Sequence, residues 1–184
     1  MNNRFLDNQQ GIIDRCKQGD EKAFEQLYSL YAKAMYNVAY RVTGREEEAE
    51  DVLQDAFISA FKNIQAYRGD SPFGAWLKRI VINKGINVLR NRKQDIVPVD
   101  EKTELIPEEE PFIYKEELNV EKVRKALMQL PDGYRNVLSL YLLEGYDHQE
   151  IAEILQINES TSKSQLNRAK AKLKDILTEQ FYAR

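Results

Sequence analysis

The stretch Tyr146–Lys174, YDHQEIAEILQINESTSKSQLNRAKAKLK, decides the fold of the second half of this chain. Asp147, followed three residues later by Glu150, is a capping-box pattern that predicts a helix start near His148. Apolar residues then recur on one helical face: Ile151, Ile154 and Leu155. The pattern breaks over residues 156–158, which predicts a tight turn before a second helix.

The second helix of this stretch has one apolar and one basic, polar face. Leu166, Ala169 and Leu173 form the apolar stripe, and five Lys or Arg but no carboxylate fall between Ser160 and Lys174. Two helices, a turn and a basic second helix are typical of a DNA-binding helix-turn-helix. Ordinary all-helical cores also contain two short helices and a turn. Two positions depart from the helix-turn-helix pattern. Gln156 stands where the turn often has glycine, and Ser162 stands where an apolar residue is expected.

Helical periodicity extends through the remainder of the chain and predicts an all-α fold. A short helix is expected over 10–18 and a long one between a cap at Asp20 and an end at Gly44. A third helix starts in the acidic run at 45–51, and a fourth covers 73–92. After residue 117, two further helices are expected to end at Pro131 and near Gly145.

Residues 94–116 lack this periodicity and carry a different charge. They contain three prolines and eight Asp or Glu against two Lys or Arg, although the whole chain has a net charge of only −3. This composition predicts an acidic, flexible linker. The chain is therefore expected to form two small helical domains, residues 1–93 and 117–184, with the helix-turn-helix ending the second.

The predicted helix over 73–92 presents a narrow polar stripe between two apolar sides. Its members recur at three- or four-residue spacing: Trp76, Arg79, Asn83, Asn87 and Arg90. Residues 71–94 contain six Lys or Arg and no acid. An aromatic ring beside basic and amide groups suits unstacked bases and phosphates. The alternative is that Trp76 belongs to the core and the arginines are only solvated.

The sequence offers little of the chemistry that an enzyme needs. The only histidine and cysteine are His148 and Cys16, in different predicted domains, and no Gly-rich phosphate loop occurs. The carboxylates at 46–51 suit a solvated helix start better than a metal site. We therefore expect no enzymatic activity, no cofactor and no metal. A single cysteine, no leader and no long apolar run predict a cytoplasmic protein without membrane insertion.

The order of these features resembles the sigma factors of bacterial RNA polymerase, in particular the two-domain extracytoplasmic-function type. The similarity covers nearly the whole chain. It is carried by GDEKAFEQLY at 19–28, AEDVLQDAFISAF at 49–61, YRGDSPFGAWLKRIVIN at 67–83, LP at 130–131 and EGYDHQEIAEIL at 144–155. Each segment alone is a weak signal, whereas all of them in this order and spacing are highly specific.

The resemblance implies an initiation factor that binds core RNA polymerase, recognises two promoter elements and melts one of them. In such factors the acidic third helix meets the clamp helices of the largest catalytic subunit. Core contacts are thereby implied at Asp51, Gln54, Asp55 and Phe57. The following loop and helix capture bases of the minus-ten element. DNA contacts are thereby implied at Tyr67, Arg68, Phe73, Trp76, Arg79, Asn83 and Asn87.

The second domain resembles the part of these factors that places its last helix in the major groove at the minus-thirty-five element. Contacts are thereby implied at Thr161, Lys163, Ser164, Gln165, Arg168 and Lys172. The chain departs from the family pattern where Val is common, at Ser162, and where Arg is common, at Gln165. Gln pairs with adenine whereas Arg pairs with guanine, so the upstream sequence that is read stays open.

Kinship with these factors also implies an anti-sigma protein as a partner, although no residue identifies one. The residues themselves leave a second hypothesis, a conventional helix-turn-helix regulator with a sensory first domain. Such a regulator would bind duplex DNA by itself. It would not need core polymerase to act on transcription.

Overall fold

The computed structural model describes residues 3–93 and 119–182, and every regular element in these two ranges is a helix. The chain divides into two compact units, residues 1–92 and 93–184. The predicted all-α fold, with a helix-turn-helix at the end of the second unit, is confirmed. The predicted acidic linker over 94–116 lies outside the described residues.

The elements follow one another closely along each unit. In the first unit they are α1 (Asn3–Lys17), α2 (Glu21–Thr43), α3 (Glu46–Lys62), a 3-10 turn (Ile64–Ala66) and α4 (Phe73–Lys93). In the second unit they are α5 (Val120–Met128), α6 (Asp132–Leu142), α7 (His148–Leu155) and α8 (Glu159–Tyr182).

Helix α1 begins two turns earlier than the sequence pattern predicted. The expected span was 10–18, whereas the helix starts at Asn3 and ends at Lys17. A signal was present, because Phe5 and Leu6 precede Ile12 and Ile13 by seven residues, which is two helical turns. The polar residues between these two pairs obscured the repeat.

The ends of α2 are set by the residues that the sequence indicated. The side chain of Asp20 accepts hydrogen bonds from the backbone N–H groups of Lys22 and Ala23. At the other end, Gly44 has φ 77° and its N–H donates to the carbonyl of Tyr40. A residue with a side chain would be strained in that left-handed conformation. Helix α3 then starts in the acidic run, whose carboxylates offset the helix dipole.

Glycine allows α4 to approach α2 closely. A Cβ at Gly85 would lie 2.7 Å from Cγ1 of Val42, and one at Gly74 would lie 2.8 Å from Cε1 of Tyr31. Non-bonded carbon atoms do not approach this closely, so neither position accommodates a side chain unless its neighbour moves. Val42 is itself buried and its branched side chain has few rotamers. The position of α4 therefore depends on these two glycines.

The far end of α4 is fixed to the turn between α2 and α3. The Arg92 guanidinium donates to the carbonyl oxygen of Thr43 at 3.1 Å and pairs with the carboxylate of Glu48. Its side chain is only 19% exposed. From the sequence, Arg92 is one of six basic residues on or beside this helix. In the structure it is mostly buried and joins α4 to the α2–α3 turn.

A buried arginine, Arg135, joins the two sides of the break between α5 and α6 in the second unit. Arg135 is 3% exposed, donates to the carbonyl of Leu130 at 3.0 Å and pairs with Asp132. These bonds bridge Pro131, where the sequence predicted that a helix ends. The surrounding core draws on all four helices: Ala126, Leu127, Leu130, Val137, Leu138, Leu140, Ile151, Leu166, Ala169, Ile176 and Leu177.

Candidate nucleic-acid interface

The polar stripe of α4 lies mostly on the surface of the first unit. Arg79, Asn83 and Asn87 are exposed, whereas Trp76 and Arg90 are half-buried. The guanidinium of Arg90 lies 3.4 Å from the amide oxygen of Asn87, one turn away. We call these five residues the α4 stripe. It presents amide and guanidinium groups along about four turns of one helix face.

An aromatic cluster lies at the start of the α4 stripe. The ring of Trp76 has centroid distances of 5.4 Å to both Tyr67 and Phe73, in tilted arrangements that aromatic pairs favour. Tyr67 and Phe73 are only 6% and 2% exposed. Both were grouped with Trp76 as DNA contacts on the resemblance. Their burial also lets them support the ring of Trp76 at the start of the stripe.

The loop before α4 is held by Tyr67. Its hydroxyl donates to the carbonyl of Ser71 at 2.7 Å and so closes residues 67–71 into a compact turn. Burial raises the pKa of the Tyr67 phenol, and the Asp70 carboxylate raises it further, so the hydroxyl stays protonated and can donate. Arg68, on the same loop, is exposed. The loop is thus fixed while its cation points to solvent.

Helix α1 supports the same loop, which the sequence did not indicate. The Lys17 ammonium donates to the carbonyl of Tyr67 at 2.9 Å, and the amide of Gln65 donates to the carbonyl of Lys17 at 2.6 Å. Between α1 and the loop lies an open cleft of about 300 Å³. It is lined by Gln9, Gln10, Ile13, Tyr67, Gly69, Asp70, Ser71, Pro72 and Phe73.

A second cleft of about 710 Å³ lies between α2 and α3. Its polar rim includes Asp51 and Gln54, both exposed. Phe57 is 3% exposed and packs at 4.7 Å from the ring of Tyr28, so it forms the floor. Ile58 and Tyr28 are each 44% exposed. These two apolar side chains were missed because the sequence pattern alone does not show which residues at the edge of a stripe stay uncovered.

Asp55 projects from the same helix and has a partner on α4. The Lys84 ammonium lies 3.8 Å from its carboxylate. Lys84 had no evident role in the sequence, because it fell on an apolar side of the predicted helix. Asp55 is 67% exposed in its side chain, so this pair leaves most of the carboxylate available. Surface pairs of this kind contribute little to stability.

The helix-turn-helix of the second unit has the predicted start and an unusual turn. Asp147 and Glu150 form the complete capping box at the start of α7. Gln156 follows the last residue of α7 and caps the helix. Its φ of 55° makes it the one non-glycine residue with positive φ in the described part of the chain. Glycine would adopt this conformation without strain. Ser162, where the pattern favoured an apolar side chain, is fully buried.

The residues implied for the minus-thirty-five element do not share one exposure. Lys163, Ser164 and Lys172 are exposed, whereas Thr161, Gln165 and Arg168 are half-buried. Lys163 pairs with Glu159 at 2.7 Å, and the hydroxyl of Ser164 donates to the carbonyl of Thr161 at 3.0 Å. The side chain of Gln165 lies against the first turn of α6. A Cβ added to Gly133, in that turn, would be 3.5 Å from the Gln165 amide oxygen.

The exposed face of α8 includes a residue that the sequence interpretation omitted. Asn167 is exposed, one turn beyond Lys163 and Ser164. The implied contacts of α8 centre on the side that carries Thr161, Gln165 and Arg168, and Asn167 lies at the edge of that side. An asparagine can form two hydrogen bonds to adenine in the major groove. Asn167 therefore belongs among the candidate reading residues.

Within the described ranges, the cysteine is buried and no cluster of metal-ligating side chains is found. Cys16 is 1% exposed, and burial raises the pKa of its thiol, so it is a core side chain. Across residues 3–93 and 119–182, no three His, Cys, Asp or Glu residues lie close enough to hold a metal ion. Within those ranges no helix is both long and apolar enough to span a membrane.

Models of two protein families match the chain, one in each unit. Sigma-70 region 2 matches residues 27–94, and Sigma-70, region 4 matches residues 120–173. The first match contains α3, the loop and the α4 stripe. The second contains α5 to α7 and most of α8.

Individual relatives extend this similarity over nearly the full chain. The ECF RNA polymerase sigma factor SigW of Bacillus subtilis is 32% identical over 179 residues, 90% of this chain and 94% of its own. The RNA polymerase sigma-H factor of Pseudomonas aeruginosa is 31% identical, covering 88% and 89%. The sigma factor RpoE, in its complex with the anti-sigma factor NepR from Bartonella quintana, aligns with a TM-score of 0.55 at 25% identity, covering 85% and 98%.

These matches confirm the family that the ordered sequence segments indicated, and they do not favour a conventional helix-turn-helix regulator. Both regions fall where the chain carries its exposed polar surfaces, on α4 and on α8. The chain belongs to the ECF sigma factors and is a transcription initiation factor of RNA polymerase.

Proposed function

We propose that this factor binds core polymerase through the cleft between α2 and α3, opens promoter DNA at the α4 stripe and anchors upstream through α8. The first domain, residues 1–93, would then bind core polymerase and melt the minus-ten element. The second domain, residues 117–184, would read duplex DNA. Opening would draw on binding energy alone, without hydrolysis of a nucleotide.

The observation that carries this proposal is the contact between Trp76, at the start of the α4 stripe, and the two aromatic rings that line the cleft against α1. Exposed amides at Asn83 and Asn87 lie about two and three helical turns beyond the half-buried ring of Trp76, along the same helix face. A base that leaves the duplex needs a surface to stack on and groups that bind its edge. Unstacking costs a few kcal/mol, and a pocket that accepts the base offsets this cost.

Each side chain near this cleft would have a distinct role. Tyr67 and Phe73 would hold the loop and the indole, since both are buried. Arg68 and Arg79, which are exposed, would meet phosphates. Asn83 and Asn87 would bind base edges or sugars of the separated strand.

The cleft between α2 and α3 has the composition of a protein-binding surface. An apolar floor with Phe57, Tyr28 and Ile58 is bordered by the carboxylate of Asp51 and the amide of Gln54. Interfaces commonly combine an apolar centre with a polar rim. Because the rim is acidic, we expect the polymerase surface that it meets to be basic.

On α8 we assign the upstream contacts to two groups. Lys163 and Lys172 would neutralise phosphates, which fixes the position of the helix but carries no sequence information. Ser164, Asn167 and Arg168 would reach base edges. Thr161 and Gln165 lie at the margin of the exposed face, so we expect smaller direct contributions from them.

The partners of the chain would be core RNA polymerase, promoter DNA and an anti-sigma factor. The similarity to RpoE, which was crystallised with the anti-sigma factor NepR, supports the third partner. We place the chain in the cytoplasm, where bacterial polymerase works.

Run-off transcription tests the proposal. Core polymerase with this chain, acting on a pool of promoter fragments, should start transcripts at defined sites that core polymerase alone does not use. Selected fragments should share two elements separated by a fixed spacing. Absence of specific initiation would refute the proposal, and duplex binding by the free chain without any effect on initiation would favour the regulator hypothesis.

A further inference from the structure

A partly buried hydrogen bond joins the two helices of the helix-turn-helix. Ser162, the fourth residue of α8, is 0% exposed. Its hydroxyl lies 2.9 Å from Nδ1 of His148, the first residue of α7. The hydroxyl can donate or accept, so the bond forms with either tautomer of the imidazole.

The same imidazole contacts a third helix. Its ring stacks on that of Tyr141, in the last turn of α6, with centroids 4.7 Å apart and planes inclined by 22°. His148 therefore has α8 on one side and α6 on the other. Three side chains from three helices meet at this point.

The connection between α7 and α8 makes this contact important for the direction of α8. Only residues 156–158 separate the helices, and the turn depends on the left-handed Gln156. Apolar contacts fix how closely two helices pack, but they tolerate rotation about the helix axis. A hydrogen bond has a preferred direction, so a bond with one fully buried partner, Ser162, restricts that rotation.

We propose that His148 and Ser162 form a positioning pair that sets the rotation of α8, and thereby aims Ser164 and Asn167 at the upstream promoter element. This inference rests on the proposed function, because it assumes that α8 reads DNA. Neither member of the pair touches DNA. Both act through the residues that α8 presents.

The pair can be tested through use of the upstream element. The readout is the ratio of run-off transcription from a selected promoter to that from the same promoter with its upstream element scrambled. Ser162→Ala and His148→Ala should each lower this ratio by about threefold to tenfold, the range expected for one typical hydrogen bond. The double variant should fall no further, since both substitutions remove the same bond.

Two variants separate loss of this hydrogen bond from loss of a side chain. His148→Asn keeps a polar atom near the position of Nδ1 and loses the ring, so we expect it to retain more of the ratio than His148→Ala. Ser139→Ala removes another buried hydroxyl of the same unit, from α6, which has no hydrogen-bond partner in the part of the chain that the structure describes. It should leave the ratio unchanged, because it removes no bond between α7 and α8.

The contact itself can be observed without any promoter, because His148 is the only histidine of the chain. In protein labelled with ¹⁵N-histidine, Ser162→Ala should shift the Nδ1 resonance and Ser139→Ala should not. An unshifted Nδ1 signal, or equal losses of the ratio in Ser139→Ala and Ser162→Ala, would overturn the positioning pair. A wild-type chain indifferent to the upstream element would instead refute the role proposed for α8.

Discussion

The α4 stripe and the exposed face of α8 are both polar helix surfaces, yet they are built differently. The α4 stripe begins at a cluster of three aromatic rings, two of which line a cleft. The first turns of α8 expose only side chains without rings, such as Lys163, Ser164 and Asn167. Rings suit bases that have left the duplex, whereas short polar groups on a bare helix suit the major groove.

The supports behind the two surfaces also differ. Helix α4 is fixed by close packing at Gly74 and Gly85 and by Arg92 at its far end. Helix α8 is joined to α7 by a short turn with a strained Gln156 and by the buried Ser162. The first surface should therefore be rigid, and the second should depend on a few specific contacts.

The largest effect is expected where both surfaces depend on one contact with polymerase. Asp51→Arg should weaken binding to core polymerase by about a hundredfold, because like charges across an interface cost several kcal/mol. Both DNA surfaces would then lose access to the promoter. Retention on immobilised core polymerase measures this effect, and circular dichroism should show an intact fold.

Glu25→Arg provides the matched control for that charge reversal. Glu25 is exposed on α2 and lines a different cleft, near α1. This variant should bind core polymerase as the wild type does. Equal retention of the Asp51 variant and the wild type would refute the assignment of this face.

The next effect separates the two surfaces by damaging the support of α4 alone. Gly85→Ala should lower the free energy of unfolding by about 1–3 kcal/mol, because its Cβ would overlap the stiff, buried Val42. Thermal denaturation followed by circular dichroism measures it. Upstream DNA contacts should survive in this variant while opening is impaired.

The same substitution elsewhere in the first unit should act in the opposite direction. A Cβ at Gly11, on α1, would meet nothing within 4 Å. Gly11→Ala should therefore raise stability by about 0.4–1 kcal/mol. If both alanine variants changed stability alike, close packing at Gly85 would not be what positions α4.

The smallest effect concerns the turn of the second unit. Gln156→Gly should stabilise that unit by about 1 kcal/mol, because glycine adopts a φ of 55° without the strain of a side chain. Glu153→Gly, at an exposed interior position of α7, should destabilise it by about 1 kcal/mol. Chemical denaturation compares the free energies of unfolding of the two variants. Destabilisation by both substitutions would show that Gln156 is not strained.

Much of the fold could be predicted because its signals are local. Asp20, Gly44 and the capping box of Asp147 and Glu150 each act within four residues, and the structure has each where the pattern indicated. Helical periodicity likewise gave α2, α3 and α4. Only the start of α1 was misplaced, since its repeat is interrupted by polar residues.

The features that sequence reasoning missed depend on contacts between distant residues. Ser162 is paired with His148, and Lys84 with Asp55, and neither partner can be identified from a single helix. The support of the loop by Lys17 spans 50 residues. Burial of Tyr67 and Phe73 follows from the packing of several elements, so the sequence could not show that these two rings are covered.

The central claim is that the α4 stripe acts on separated strands while α8 acts on duplex. Permanganate footprinting tests it most directly, since unpaired thymines react in complexes of core polymerase with each variant on a selected promoter. At matched promoter occupancy, Asn83→Ala should reduce thymine reactivity in the minus-ten region about tenfold, the loss of one good base contact. Arg168→Ala should retain that reactivity. Equal single-strand reactivity in the two variants would contradict the account.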